Sequence, residues 1–140
     1  MSLKSRKTGI DVIRGYFGRD AFAESCGIEI VEASDGRATA VVQVEARHLN
    51  GIGLVHGGVL FTLADMAVAA AAHTRGRVAV SVSITITYIR AARGEALRAV
   101  AREVSRNQRL AAYTADITDD TGEVVATAQG LAYVKNEHLA

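Results

Sequence analysis

One acidic side chain interrupts the most apolar stretch of this 140-residue chain. From Val59 to Ala72 only Thr62 and Asp65 are polar. Apolar residues recur at helical spacing and also fill the other sides of the predicted helix, which is therefore apolar nearly all round and buried. An apolar run of 14 residues that contains an acid is too short to cross a bilayer. The sequence therefore predicts a core helix that carries a carboxylate.

Two interpretations of Asp65 are open at this point. Aspartate disfavours helix interiors, and Asp65 lies too far along the run to cap the helix start. Either the side chain faces solvent on a narrow exposed edge, or it is partly desolvated. Burial raises the pKa of a carboxyl group, and a carboxylate with a raised pKa is suited to general-base or nucleophilic chemistry.

Gly57 and Gly58 precede the apolar run. The start of a helix carries unpaired N–H groups and a partial positive charge, and glycine there lets a carbonyl oxygen approach these amides as in an oxyanion hole. Alternatively, the two glycines merely interrupt the chain before the helix. Eight residues separate Gly57 from Asp65, which is about 12 Å along a helix axis. Because that is too far for both to act on one carbonyl, a shared site requires a two-fold dimer with antiparallel helices.

Turn residues and periodicity predict the elements around this helix, which is expected over residues 57–75. Thr8-Gly9-Ile10-Asp11 resembles a capping box, so the N-terminal helical segment, residues 1–26, is expected to hold a helix over 9–17 and a further turn near Cys26. Asp35-Gly36 is a hairpin signal. Strands are predicted at 28–33, 37–44, 78–88, 95–105, 110–118 and 123–134.

The strands follow one another without helices between the later ones, which predicts an antiparallel sheet with the apolar helix on its concave side. In the strand over 78–88, the alternation places Val80, Val82, Ile84, Ile86 and Tyr88 on one face. It places Ser81 and Ser83 together on the other face. With 49% hydrophobic residues, the chain fits one domain over 1–140.

Charge and cysteine content exclude several functions. The net charge is +1, with 16 basic and 15 acidic residues, so there is no global field for nucleic acid or an anionic membrane. The single cysteine, Cys26, excludes an internal disulfide and a cysteine-rich metal site, and a buried structural thiol is favoured for it. The basic N-terminus lacks a following apolar region, which is untypical of a secretory signal and indicates a cytoplasmic protein.

Three segments in order, Asn50-Gly51, His56-Gly57-Gly58 and Leu63-Ala64-Asp65, resemble the signature of hot-dog-fold acyl-CoA thioesterases of the phenylacetate-degradation (PaaI-like) type. The resemblance covers roughly residues 25–134. It implies an α+β hot-dog fold, a long curved antiparallel sheet wrapped around one central helix. It also implies hydrolysis of an acyl-CoA thioester to acid and CoA, no cofactor besides the CoA of the substrate, and a homodimer that pairs into a homotetramer.

The resemblance assigns roles to individual residues. Asp65 activates water as general base or attacks the thioester itself, and the Gly57 N–H polarises the thioester oxygen beside Gly58. Asn50 contacts the same group or the water, although it also reads as a turn residue. His56 orders the loop or lies near the carbonyl, and the alternative is a structural hydrogen bond. Ser81 holds the water, with Ser83 as the substitute, unless both simply line a polar strand face.

Three arginines are candidate CoA contacts by the same resemblance, since guanidinium groups match phosphate geometry. Arg90 belongs to an aromatic-x-Arg segment that begins at Tyr88, and Arg106 and Arg109 flank a turn. They are equally compatible with a solvated surface. His48 and His73 match no motif, and the histidine spacing fits no known zinc motif, so no metal is expected.

Two other functions remain alternatives. A hot-dog acyl-CoA hydratase or dehydratase would pair an Asp with a His on a differently spaced loop, a pattern that the sequence lacks. A non-catalytic acyl-CoA-binding module would bind CoA esters without releasing thiol. The resemblance suggests aromatic acyl groups, but the residues that form the walls of the pocket cannot be placed from the sequence, so the choice between aromatic and aliphatic groups is open.

Overall fold

The computed structural model describes residues 9–139. Thr8 and its predicted capping box therefore lie partly outside the described residues. The helices are α1, Ile10–Phe17, α2, Ala21–Cys26, and α3, Gly57–His73, and a 3₁₀ turn covers Ala46–His48. The strands are β1, Glu29–Ser34, β2, Arg37–Gln43, β3, Arg77–Tyr88, β4, Ala96–Arg106, β5, Leu110–Thr118, and β6, Val124–His138.

The six strands form one antiparallel sheet in the order β1-β2-β4-β5-β6-β3. α3 packs against all six strands, most closely against β2, β4 and β3, and every buried residue of α3 except His73 is apolar. This confirms the predicted hot-dog arrangement. Alanines dominate the inner face of the sheet, so the strands approach the helix closely. A Cβ added at Gly130 of β6 would lie 3.0 Å from Val68 of α3, which shows how little space remains.

Local signals explain where the elements begin and end. Asp35 and Gly36 both have positive φ, 49° and 80°, as the predicted two-residue hairpin turn requires. α3 ends at His73, two residues before the predicted boundary. The Thr74 hydroxyl donates to the Ala71 carbonyl and accepts from the Gly36 N–H, which ties the end of the helix to this hairpin.

A β-bulge in β3 corrects the prediction for that strand. Ser81 pairs with Ala132 but Ser83 pairs with Leu131, so the register shifts by one residue between the two serines. Up to Ser81, the odd-numbered residues face α3, and from Ile84 onward the even-numbered residues do. Val80 and Val82 are consequently exposed, whereas Ile84 and Ile86 are half-buried against the core. A bulge inserts one residue and exchanges the faces, which a simple alternation cannot reveal.

Candidate active site

The start of α3 offers one free backbone amide. His56 is the N-cap residue, and its Nδ1 atom accepts a hydrogen bond from the Gly58 N–H at 2.8 Å. The Val59 N–H donates to the His56 carbonyl. Within the described part of the chain, the Gly57 N–H has no hydrogen-bond partner. A helix N-terminus with a single free amide can stabilise one developing negative charge.

His56 thus has a definite structural role as the cap of α3. A ring nitrogen that accepts a hydrogen bond carries no proton. The proton of the neutral ring then sits on Nε2, which is free to point away from the helix. His56 is exposed, so that N–H is available to a bound molecule. The two roles predicted for His56, loop ordering and an interaction near the carbonyl, are therefore compatible.

Tyr88 fixes the first turn of α3, a role that the sequence did not suggest. Its hydroxyl donates to the Gly57 carbonyl at 3.0 Å. A Cβ at position 57 would lie 3.2 Å from both Cζ and Oη of Tyr88. A side chain at this position would therefore press on the phenol ring, which favours glycine here. Tyr88 is 31 residues away in sequence, and its only signal was membership of the aromatic-x-Arg segment.

The loop before α3 is organised by Asn50. Its Oδ1 atom accepts hydrogen bonds from the N–H groups of Ile52 and Leu54, both at 3.0 Å. The side-chain oxygen is thus used within the loop, while the amide NH₂ group keeps its donors. His48, which matched no motif, is buried and bonds the Cys26 carbonyl at 2.7 Å, so it anchors this loop to the end of α2.

Asp65 lies on the narrow strip of α3 that the sheet does not cover, and it is half-buried there. Both interpretations of its environment therefore hold in part. The Ser81 hydroxyl donates to its Oδ1 atom over 3.4 Å, a long and weak hydrogen bond. Burial raises the pKa of Asp65 above the ordinary value of 3.8; the Ser81 bond opposes the rise, and the negative charge of Asp20 adds to it.

The predicted site residues fall into two groups. Asp65 and Ser81 border a cavity of about 210 Å³, hereafter the Asp65 cavity, beneath α1. His56, Gly58 and Tyr88 border a groove of about 510 Å³ at the start of α3. Gly57 and Asp65 are two helical turns apart on the same helix. One protomer therefore does not bring the free amide and the carboxylate together.

Ser83 departs from its prediction. Because of the β3 bulge it pairs with Leu131 and lies on the outer face of the sheet, opposite to Ser81. It cannot replace Ser81 beside Asp65 in the same protomer.

All three arginines predicted to contact CoA have partners within the protein, but only Arg90 and Arg106 are also half-buried. Arg90 forms ion pairs with Asp119 and Glu123, each at 3.1 Å, and so holds the turn between β5 and β6. Arg106 is half-buried and donates to the Ala72 carbonyl near the end of α3 and to Tyr113. These contacts argue against both as substrate contacts. Arg109 is exposed, donates to the Tyr133 hydroxyl, and remains a candidate.

His73 is a structural residue. Its Nδ1 atom lies 2.6 Å from the Ala69 carbonyl, and its Nε2 atom accepts from the Ala79 N–H at 3.2 Å. Burial lowers the pKa of His73, the hydrogen bond to Ala69 opposes this, and Arg106 adds to the lowering. Among residues 9–139, no three His, Cys, Asp or Glu side chains lie close enough together to hold a metal ion. The absence of a metal or cofactor stays a prediction.

An antiparallel sheet packed around one central helix is the hot-dog fold. The amide at the start of that helix and the carboxylate at its middle are groups suited to thioester hydrolysis. The family model of the thioesterase superfamily matches residues 52–126. The chain belongs to this superfamily, in its PaaI-like branch, and is a thioester hydrolase.

Individual relatives agree with this assignment. The chain is 33% identical over 118 residues to the acyl-coenzyme A thioesterase PaaI of Escherichia coli, covering 84% of each chain. It is 33% identical over 113 residues to human acyl-coenzyme A thioesterase 13, covering 78% of this chain and 81% of that protein. The solved structure of E. coli PaaI, from the phenylacetic acid degradation operon, superposes with a TM-score of 0.89 at 28% identity, covering 95% and 97% of the two chains.

A hypothetical thioesterase from Streptococcus pneumoniae, solved with coenzyme A, superposes with a TM-score of 0.81 at 26% identity over 89% of this chain and 98% of that one.

Proposed function

We propose that this protein is an acyl-CoA thioesterase whose active site is shared by two protomers. The named activity of the E. coli and human relatives and the coenzyme A bound to the S. pneumoniae neighbour support this substrate class. The observation that carries the proposal is the division of the site residues. The free Gly57 amide and the Asp65 carboxylate are both suited to thioester hydrolysis, but they lie too far apart to act together in one protomer.

In the proposed reaction, water attacks the thioester carbonyl carbon. Asp65 accepts the proton of that water, and the Ser81 hydroxyl, which already reaches Asp65, orients the water. The carbonyl oxygen becomes an oxyanion that accepts a hydrogen bond from the partner's Gly57 N–H. The C–S bond then breaks, and the CoA thiolate leaves with the proton that Asp65 returns. Direct attack by Asp65, followed by hydrolysis of the resulting anhydride, uses the same groups and stays open.

The edge of the sheet supports the dimer. β3 is the last strand in the sheet and has one row of backbone groups without a strand partner in the described residues. An antiparallel pairing of two β3 strands would satisfy both rows and bring the two α3 helices side by side. Phe61, near the start of α3, and Tyr88 and Ile89, at the end of β3, have exposed apolar side chains that a dimer interface would bury. A further pairing into tetramers stays a prediction.

The shared site can be tested by mixing two inactive variants. Asp65→Asn removes the base, and Gly57→Val blocks the approach to the amide and clashes with Tyr88. Each homodimer has two defective sites. A heterodimer carries both changes in one site and leaves the other intact. Random co-assembly should therefore restore about a quarter of the wild-type rate of thiol release from an acyl-CoA ester.

Three results would contradict parts of the proposal. Mixtures as inactive as their components would exclude a shared site. Double-bond hydration of an enoyl-CoA without thiol release would instead indicate a hydratase. CoA-ester binding with no reaction would indicate a binding module.

No helix within residues 9–139 is long and apolar enough to span a membrane, and a cytoplasmic location stays a prediction.

A further inference from the structure

The acyl group of the substrate must lie next to the thioester carbonyl that reacts beside Asp65, and Asp65 borders the Asp65 cavity. This step rests on the proposed function. The walls of the cavity are mostly apolar and come from α1, α3, β3 and β6; they include Phe17, Val68, Ala69 and Ala132. Such walls fit an acyl chain or ring rather than the charged CoA moiety.

The volume of the Asp65 cavity limits the size of the acyl group that it can hold. Its volume is about 210 Å³. A protein cavity of about 150 Å³ holds one benzene molecule. The Asp65 cavity thus accommodates an acyl group of roughly that bulk and leaves no length for a long aliphatic chain.

A second cavity of about 510 Å³ lies behind the first, hereafter the rear cavity. It opens between α1, α2 and β1, and its lining is mixed: Ala23, Ile28 and Ile30 are apolar, whereas Arg14, Glu24 and Glu29 are charged. Phe17, Asp20 and Met66 line both cavities and therefore stand between them. Asp20 is committed to capping α2, since its Oδ1 atom accepts from the Ala23 N–H at 2.9 Å. The apolar part of the partition is Phe17 and Met66.

Both of these side chains are held in place. Met66 is only 5% exposed and belongs to α3 itself. The Phe17 ring packs edge-on against His73 and against Tyr16, with centroids 5.1 Å apart in each case. His73 is in turn fixed by its bonds to Ala69 and Ala79. The partition is therefore anchored to the helix that carries Asp65.

We propose that Phe17 and Met66 are specificity-determining residues that close the end of the acyl pocket and restrict the enzyme to compact acyl groups. Removing either side chain joins the two cavities. The rear cavity then receives the end of a longer chain against Ala23, Ile28 and Ile30, the apolar part of its lining, which the wild-type substrate does not reach.

The test compares kcat/KM for acetyl-, hexanoyl-, benzoyl-, decanoyl- and dodecanoyl-CoA. The wild-type protein should prefer the compact esters. Phe17→Ala and Met66→Ala should each raise the decanoyl-to-hexanoyl ratio of kcat/KM by about tenfold or more, since added methylenes in an apolar pocket have effects of that size. Phe17→Leu, a milder change, should move the ratio in the same direction if Met66→Ala impairs folding.

Two matched variants sharpen the test. Ile28→Ala enlarges the rear cavity from its far side without opening the partition, so the ratio should stay within about twofold of wild type. Ala69→Leu fills the Asp65 cavity and should reduce activity on benzoyl-CoA more than on acetyl-CoA. Long-chain preference in the wild type, or ratios that Phe17 and Met66 variants leave unchanged, would overturn the inference while leaving thioesterase activity established. No thiol release from any ester would overturn the proposed function together with it.

Discussion

Two aspartates of this chain occupy opposite kinds of environment. Asp119, in the turn between β5 and β6, has a fully buried side chain that accepts hydrogen bonds from Arg90, from the Arg93 N–H and from Thr121. Asp65, in the middle of α3, is half-buried and has one long hydrogen bond from Ser81. The carboxylate with the less solvent-accessible side chain, that of Asp119, is the one with more hydrogen bonds.

The pKa values shift in opposite directions for this reason. At Asp119, burial raises the pKa, but the hydrogen bonds of Thr121, Arg93 and Arg90 outweigh burial and hold the pKa well below its ordinary range. At Asp65, burial raises the pKa and the single Ser81 bond does not offset it. Donors make a buried carboxylate a structural element, and their absence leaves it able to take a proton.

The largest expected effect is the loss of catalysis in Asp65→Asn. If Asp65 accepts the proton of the attacking water, kcat for thiol release should fall by about 10²–10⁴. The protein should still fold, because asparagine has nearly the same shape. Asp35→Asn makes the same chemical change at an exposed hairpin position where asparagine tolerates the positive φ, and its kcat should match wild type. Near-normal turnover in Asp65→Asn would remove this residue from the mechanism.

Asp119→Asn should instead affect stability. The change removes a charge on which Arg90 and three other donors converge, so the free energy of unfolding should fall by about 2–3 kcal/mol in urea titrations. The kcat of the folded protein should change little. Since the folded-state pKa of Asp119 is lowered, its stabilisation is present above the unfolded pKa and is lost as the pH falls through the folded one. A variant as stable as wild type at neutral pH would show that these contacts do not matter.

For stability, Asp65→Asn should have the opposite sign. The folded-state pKa of Asp65 is raised, so the ionised form is disfavoured by folding and wild-type stability falls as the pH rises through that pKa. At pH 7 the variant should be slightly more stable than wild type, by no more than about 1 kcal/mol, because solvent partly screens the half-buried carboxylate. The gain should disappear below the ordinary aspartate pKa of 3.8. If Asp65→Asn is less stable than wild type at pH 7, the ionised Asp65 carboxylate must have stabilising contacts beyond its single hydrogen bond from Ser81.

The sequence predicts those parts of the fold and of the candidate site whose signals lie within a few neighbouring residues. The apolar run with one acid predicted α3 and marked Asp65, because helical spacing and composition are visible within a few residues. The Asp35-Gly36 hairpin followed from turn chemistry. Strand positions were confirmed to within a few residues, with β6 extending four residues beyond its predicted end.

The remainder depends on tertiary contacts between distant residues. The bulge that separates Ser81 from Ser83 leaves an unbroken polar and apolar alternation in the sequence. The contact of Tyr88 with Gly57 and the pairing of Arg106 with the end of α3 join positions about 30 residues apart. An arginine that binds phosphate and one that binds a carbonyl look the same in a single sequence, so the sequence left both a CoA contact and a solvated surface open for Arg90 and Arg106.

The smallest expected effect concerns the two neighbouring side chains that change the pKa of Asp65. Asp20 lines the Asp65 cavity, and its negative charge helps to raise the pKa of Asp65 after burial, whereas the Ser81 bond lowers it. The acid limb of the kcat–pH profile should therefore move to lower pH in Asp20→Asn, in which the amide oxygen still caps α2. It should move to higher pH in Ser81→Ala. Opposite displacements would tie the limb to Asp65, because a general loss of structure would move both variants the same way. If neither variant displaces the limb, some other group controls the reaction in acid.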